Sequence, residues 1–280
     1  MTGRRPPAGE SPAPPEPVPP AAAVTVANED GPSPFVLVCE HASNHIPPEY
    51  GRLGLPPREL ERHIAWDIGA ADLARGLSRL LDAPLFLSGC SRLLIDLNRP
   101  LGTPTSIPTL SEATAIPGNR DLRPEERARR AEAWFVPFHD RVARHLDGRA
   151  ASGRPAVVVG VHSFTPVFLG VARPWHAGVL YARAASFGRA LVARLAAEEG
   201  LEVGDNEPYR IEAEMDHTVP VHGDGRGIDA VLLEVRQDLL ATTGGREEWA
   251  SRLAAALSGA LAEGGAAAGP AGAGAPRRRR

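Results

Sequence analysis

Three short strings carry the side chains best able to do chemistry: Val38-Cys-Glu-His41, Val161-His-Ser-Phe164 and Leu232-Leu-Glu-Val-Arg236. In the first two, an apolar run reads as a buried strand, and His41 and His162 sit just past its carboxyl end. Ligands in open α/β sheets bind outside those ends. Neutral imidazoles on rigid strand ends suit zinc, which takes His nitrogens at about 2.0–2.1 Å in a four-coordinate shell. Asp67, Glu40 and Asn44 are the nearby candidates for a third ligand, and the neutral amide of Asn44 makes it the poorest. Asp67 opens a helical segment, where an acid also serves as an N-cap or first-turn charge. Glu234 lies in a strand buried on both faces, where a carboxylate is costly unless paired or at work. It is either the partner of Arg236, two residues along the same strand face, or a general base. The combined reading is metal-assisted hydrolysis.

A fourth string, Ile95-Asp-Leu-Asn-Arg99, ends another expected strand. Asp96 and Arg99 form a plain ion pair, or Arg99 grips a substrate carboxylate with the bidentate fork that lysine lacks. Cys39 alternates with core residues and reads as an inert buried thiol. Ser163 has no nucleophile-elbow pattern beside it. Gly223 to Gly227 lacks the strand–turn–helix context of a phosphate cradle. His217 and His222 lie in a loop before the last strand and are candidate site residues. His63, His139, His145 and His176 read as surface or packing residues.

The elements that must position these groups alternate. Strands are expected at 35–39, 84–87, 92–95, 156–161, 179–181 and 230–235. Helices are expected at 65–81, 124–146, 184–199 and 247–261, from apolar residues at helical spacing. The segments 100–123 and 209–227 have no period and read as loops. This alternation implies one three-layer α/β domain, a mostly parallel or mixed sheet with helices on both faces.

Of 280 residues, 43% are hydrophobic and 23% charged, a normal globular composition. The net charge of −3 argues against a nucleic-acid partner. The two cysteines suggest no disulfide framework and fit a reducing cytoplasm. No apolar window of membrane-spanning length exists, and no signal peptide precedes the Pro-rich start. Residues 1–30, rich in Pro and Ala, and 264–280, which end in Arg277 to Arg280, are expected to be disordered. The catalytic domain is then 31–263.

The strings in series resemble one family. Val38-Cys-Glu-His-Ala-Ser-Asn-His-Ile-Pro47, Trp66-Asp-Ile-Gly69, Ser91 to Pro100, Val161 to Thr165, Asn206-Glu-Pro-Tyr-Arg210 and Leu233 to Leu239 are similar to the N-formylglutamate amidohydrolases. The resemblance covers about 35 to 262. It implies a phosphorylase/hydrolase-like fold related to the zinc carboxypeptidases. It also implies a zinc ligand at His162, a carboxylate grip at Asn98 and Arg99, and a general base at Glu234. The carboxypeptidase motif His-x-x-Glu reads His41-Ala-Ser-Asn44 here, so the acidic ligand must come from elsewhere: Asp67 first, Glu40 second. The implied activity is hydrolysis of N-formyl-L-glutamate to formate and glutamate, a late step of one histidine-degradation route. A second substrate carboxylate needs a second cation, for which Arg92, Arg210 and Arg236 are candidates. The expected partner is therefore a small acyl-amino acid, with neither nucleic acid nor membrane involved.

Overall fold

The computed structural model describes residues 22–267. The Pro-rich residues 1–21 and the arginine-ended tail from 268 lie outside the described residues. Seven strands form one mixed sheet: β1 (Val24–Ala27), β2 (Phe35–Cys39), β3 (Leu85–Ser88), β4 (Val157–Phe164), β5 (Ala177–Leu180), β6 (Val203–Asp205) and β7 (Ala230–Arg236). Their spatial order is β1-β3-β2-β4-β7-β5-β6. The four central strands β3, β2, β4 and β7 run parallel, while β1 joins β3 antiparallel and β5 joins β7 antiparallel.

The continuous apolar runs exist because the sheet is covered twice. Within β2, Phe35, Leu37 and Cys39 face one core, and Val36 and Val38 face another. The first core is sealed by α1 (Ala70–Leu81), α4 (Ala185–Ala196) and α5 (Thr243–Ala267). The second lies under α3 (Val136–Ala151), which follows the short α2 (Pro124–Arg130), and under the long loops. Alternation carries the same split into β4 and β7. Val159 and Val161 belong to the first core with Leu233 and Val235, so His162 and Glu234 point to the opposite face.

Connection order decides where a site can form. From β2 the chain goes to β3 on one side, then crosses over to β4 on the other. The crevice beyond the carboxyl ends of β2 and β4 is thus the point where the winding direction reverses.

Four expectations are corrected. Residues 24–27 pair with β3 in register, Val24 opposite Ser88, so the ordered chain begins before residue 31. The Val-Thr-Val alternation is a short edge-strand signal that the Pro-rich surroundings masked. Helix α5 runs to Ala267, past the expected boundary at 263. Residues 92–95 form no strand: the backbone turns, with Leu94 donating to the Ser91 carbonyl and the Ser91 hydroxyl donating to that of Ala65. Leu93, Leu94 and Ile95 are apolar because they are buried, not because they pair in a sheet. Finally, β4 continues to Phe164, so His162 lies inside the strand's last turn of pleat rather than beyond it.

Candidate active site

The carboxyl end of β2 delivers Glu40 and His41, and β4 delivers His162. The segment between β2 and α1 delivers Asp67, whose amide donates to the His41 carbonyl at 3.0 Å. His41, Asp67 and His162 are each buried, and each offers a donor atom within 4.8 Å of the others. The two rings meet edge-on with centroids 4.9 Å apart. Asp67 Oδ2 lies between them, 3.4 Å from His41 Nδ1 and 2.8 Å from His162 Nδ1.

The remaining ring nitrogens are also engaged. His41 Nε2 meets Asp96 Oδ1 at 2.7 Å, and His162 Nε2 meets Glu40 Oε2 at 3.1 Å. Metal-binding histidines characteristically give their outer nitrogen to a carboxylate, which fixes the ring and its tautomer. The donor set fits a divalent metal on this observation: both Nδ1 atoms and Asp67 converge inward, while Asp96 and Glu40 stand behind the rings. Of the two expected acidic candidates, Asp67 therefore has the inner position. Asn44 turns away, donating to the Leu60 carbonyl at 2.9 Å.

Electrostatics follow from this packing. Burial opposes protonation of His162, but Glu40 and Asp67 outweigh it and raise its pKa well above the usual 6.5. Burial and Arg92 oppose protonation of His41, yet Asp96 and Asp67 leave its pKa raised. Burial would raise Glu40, but His162 holds it down at about 2. Asp67 is likewise held well below the carboxylate range, its burial outweighed by the two imidazoles.

Glu234 sits directly beside His162 in the parallel register of β4 and β7. It is 6% exposed, and its Oε2 is buried with no hydrogen-bond partner. Burial pushes it up to about 7, against the pull of His162 and with repulsion from Asp67. Arg236 does not neutralise it. At the strand's end the chain turns into a 3-10 turn, and Arg236 is drawn to Asp238 at 2.8 Å and to the Pro174 and Trp175 carbonyls. This corrects both expectations for Arg236, as a partner of Glu234 and as a substrate-binding cation.

His41, Asp67, Asp96, His162 and Glu234 line one cavity of about 540 Å³. Arg92, Asn98, Arg99 and Arg210 line it too, with an apolar wall of Phe164, Phe168, Leu180 and Leu232. Arg92 is bound to Asp96 at 2.8 Å and Asp67 at 3.3 Å, so it holds the acids rather than standing free. Asp96 pairs with Arg92, and Arg99 pairs with Asp216 at 2.7 Å, so the alternative of an Asp96–Arg99 ion pair is not realised. The Asn98 side-chain Oδ1 accepts from the amides of His217 and Thr218 at 3.2 and 3.0 Å. Arg210 is exposed at the rim.

Sequence reasoning did not find the roles of Asp96 and Tyr209. Asp96 is fixed by the Asn98 amide and aimed at His41, which its place in a turn conceals. Tyr209 lines the cavity and receives a hydrogen bond from Arg173 at 2.8 Å. A second histidine cluster was also concealed. His139 on α3 lies against His217 and His222, and burial lowers the pKa of all three. Cys39 and Cys90 are free and buried, and burial raises both thiols.

A buried carboxylate with an unpartnered oxygen beside an imidazole–carboxylate centre, at the winding reversal of an α/β sheet, is an arrangement suited to hydrolysis. The chain belongs to the N-formylglutamate amidohydrolase family, whose profile matches residues 33–241, and it is thus an amidohydrolase acting on a C–N amide bond. The gene product Atu2144 of Agrobacterium tumefaciens is similar in structure, with a TM-score of 0.84 and 41% identity over 86% of this chain and 96% of that one. An N-formylglutamate amidohydrolase from Ralstonia eutropha JMP134 shares the fold, with a TM-score of 0.62 at 18% identity over 85% and 97%. None of the curated proteins compared matches this sequence. Among the described residues, no helix is long and apolar enough to cross a membrane.

Proposed function

We propose that the protein is a zinc-dependent cytoplasmic enzyme of histidine degradation that hydrolyses N-formyl-L-glutamate to formate and L-glutamate. One observation carries this reading: Glu234, whose buried Oε2 has no partner, stands in register with His162 and lines the same cavity as the His41–Asp67–His162 cluster. His41, Asp67 and His162 would hold the ion. When bound, zinc supplies Lewis acidity toward an amide carbonyl and acidifies water.

The chain's own groups do the rest. Glu234, at about 7, is poised near the working pH of a general base. It takes a proton from the attacking water as the oxygen adds to the formyl carbon. It then delivers that proton to the amide nitrogen as the C–N bond breaks, which leaves formate and a free amine. Arg99 swings from Asp216 to hold a substrate carboxylate, and Asn98 keeps the 216–218 segment in place behind it. Arg210, on the exposed 209–212 segment, meets the second carboxylate. Asp96 and Glu40 keep the two rings oriented.

A second substrate class is favoured by the cavity itself. Its 540 Å³ and its apolar wall of Phe164 and Phe168 leave room for an acyl group larger than formyl. A panel of N-acyl amino acids, assayed for amine release with zinc measured on the same sample, tests both readings. Fastest turnover on N-formyl-L-glutamate by metal-loaded protein supports the first. Preference for a longer acyl chain on a monocarboxylate replaces it with the second.

A further inference from the structure

We infer that His139, His217 and His222 form a second transition-metal site, distinct from the His41–Asp67–His162 centre and structural in role. The three imidazoles offer donor nitrogens that all lie within 4.8 Å of one another. His139 and His222 are buried and His217 is half-buried.

The hydrogen bonds orient the donors. His139 Nε2 lies 2.7 Å from the Leu97 carbonyl, which only accepts, so the proton is on Nε2 and the Nδ1 lone pair points inward. That Nδ1 faces His222 Nε2 at 2.9 Å. Two nitrogens bound tetrahedrally at about 2.0–2.1 Å stand about 3.3 Å apart, so a few tenths of an ångström of ring motion admits an ion. A backbone carbonyl on the outer nitrogen is the support that metal-bound histidine usually has. His222 Nδ1, meanwhile, is buried without any partner, so the all-imidazole network does not satisfy itself. Three nitrogen donors suit zinc, copper, nickel or cobalt, and not the oxygen-seeking magnesium or calcium. Glu40, whose Oε1 is buried without a partner, is the acid whose field reaches all three rings, so the ion's charge would be offset without a carboxylate in its shell.

The location states what the ion would do. His139 belongs to α3, whereas His217 immediately precedes the turn Thr218–Gly223 and His222 lies within it. Asp216, the partner of Arg99, lies two residues before this turn, and the amides of His217 and Thr218 donate to the Asn98 side chain. An ion here ties α3 to the segment that backs Leu97, Asn98 and Arg99. The site is a clamp for the substrate-binding wall and takes no part in proton transfer.

The test is metal stoichiometry of the full chain, stripped with a chelator and titrated with Zn2+ alone. Two equivalents are expected. His217→Ala, chosen because His217 is only half-buried, should keep one equivalent and weaken the second by more than about tenfold, the least that losing even an outer-shell partner usually costs. His162→Ala should lose the other equivalent, and titrating it with Co2+ should still develop the visible absorption of a tetrahedral ion. Two equivalents untouched by both His217→Ala and His222→Gln would overturn the site. So would a single equivalent that His162→Ala abolishes and His217→Ala spares, which leaves the other centre standing. A single equivalent with the opposite pattern supports this site and overturns the other. No binding at all overturns both.

Discussion

Replacing Glu234 with Gln separates catalysis from structure because the two roles predict opposite signs for stability. The carboxyl is 6% exposed, its Oε2 has no partner, and burial moves it from the usual 4.5 to about 7. A carboxyl with a raised folded-state pKa costs nothing below pH 4.5, where it is protonated in both states. The cost grows between pH 4.5 and 7 and is complete above 7. At 1.36 kcal/mol per unit this amounts to roughly 3 kcal/mol of lost stability at pH 8. Glu234→Gln removes that charge and keeps the shape, so at pH 8 the mutant should melt no lower than the wild type, and above it if the relief is realised in full. It cannot accept a proton, so amine release should fall by about 10²–10⁴-fold, or about 2.7–5.4 kcal/mol in the barrier. Zinc content, melting temperature and rate measured on one preparation decide the matter. A metal-loaded mutant within tenfold of normal turnover refutes the base assignment. A mutant that melts well below the wild type refutes the uncompensated-charge reasoning.

Further outcomes are expected. Arg99→Ala frees Asp216 and should raise KM for an acidic N-acyl substrate far more than it lowers kcat, and Arg99→Lys should recover little because the bidentate fork is gone; steady-state kinetics with unchanged KM would contradict this. On the proposed reading, zinc would displace protons from His41 and His162, whose pKa values are raised by their carboxylate neighbours. Zinc affinity should therefore climb with pH, and loading near pH 7 should release protons into weak buffer; affinity that is flat from pH 6 to 8 would refute the assignment. Burial raises the thiols of Cys39 and Cys90, so a thiol reagent should label neither in the native protein and both after denaturation. Labelling of Cys39 at native rates would show that the β2 end opens.

The sequence by itself determined the elements whose signals are local. The runs at 35–39, 156–161 and 230–235 are apolar on both faces, and only a doubly covered central strand needs that. It singled out His41 and His162 by their place at strand ends and Glu234 by the cost of a carboxylate in a buried strand, and the fold brings all three to one cavity. It did not reveal the edge strands β1 and β6, which are short and half-exposed and so carry little pattern. It misjudged 92–95, since burial of Leu93 and Ile95 gives the same apolar signature whether or not the backbone pairs. The ranking of Asp67 before Glu40 came with the family resemblance, but only tertiary structure shows Asp67 between the two rings and Glu40 behind that of His162. Tertiary structure alone turned Arg236 away from Glu234, through a turn that brings Asp238 closer, and gave Asp96 to Arg92 and His41. It alone brought His139 from α3 against His217 and His222 across 78 and 83 positions of chain. Periodicity reports which residues are buried, but partners far apart in sequence are selected by the packing of whole elements, and no local pattern records that choice.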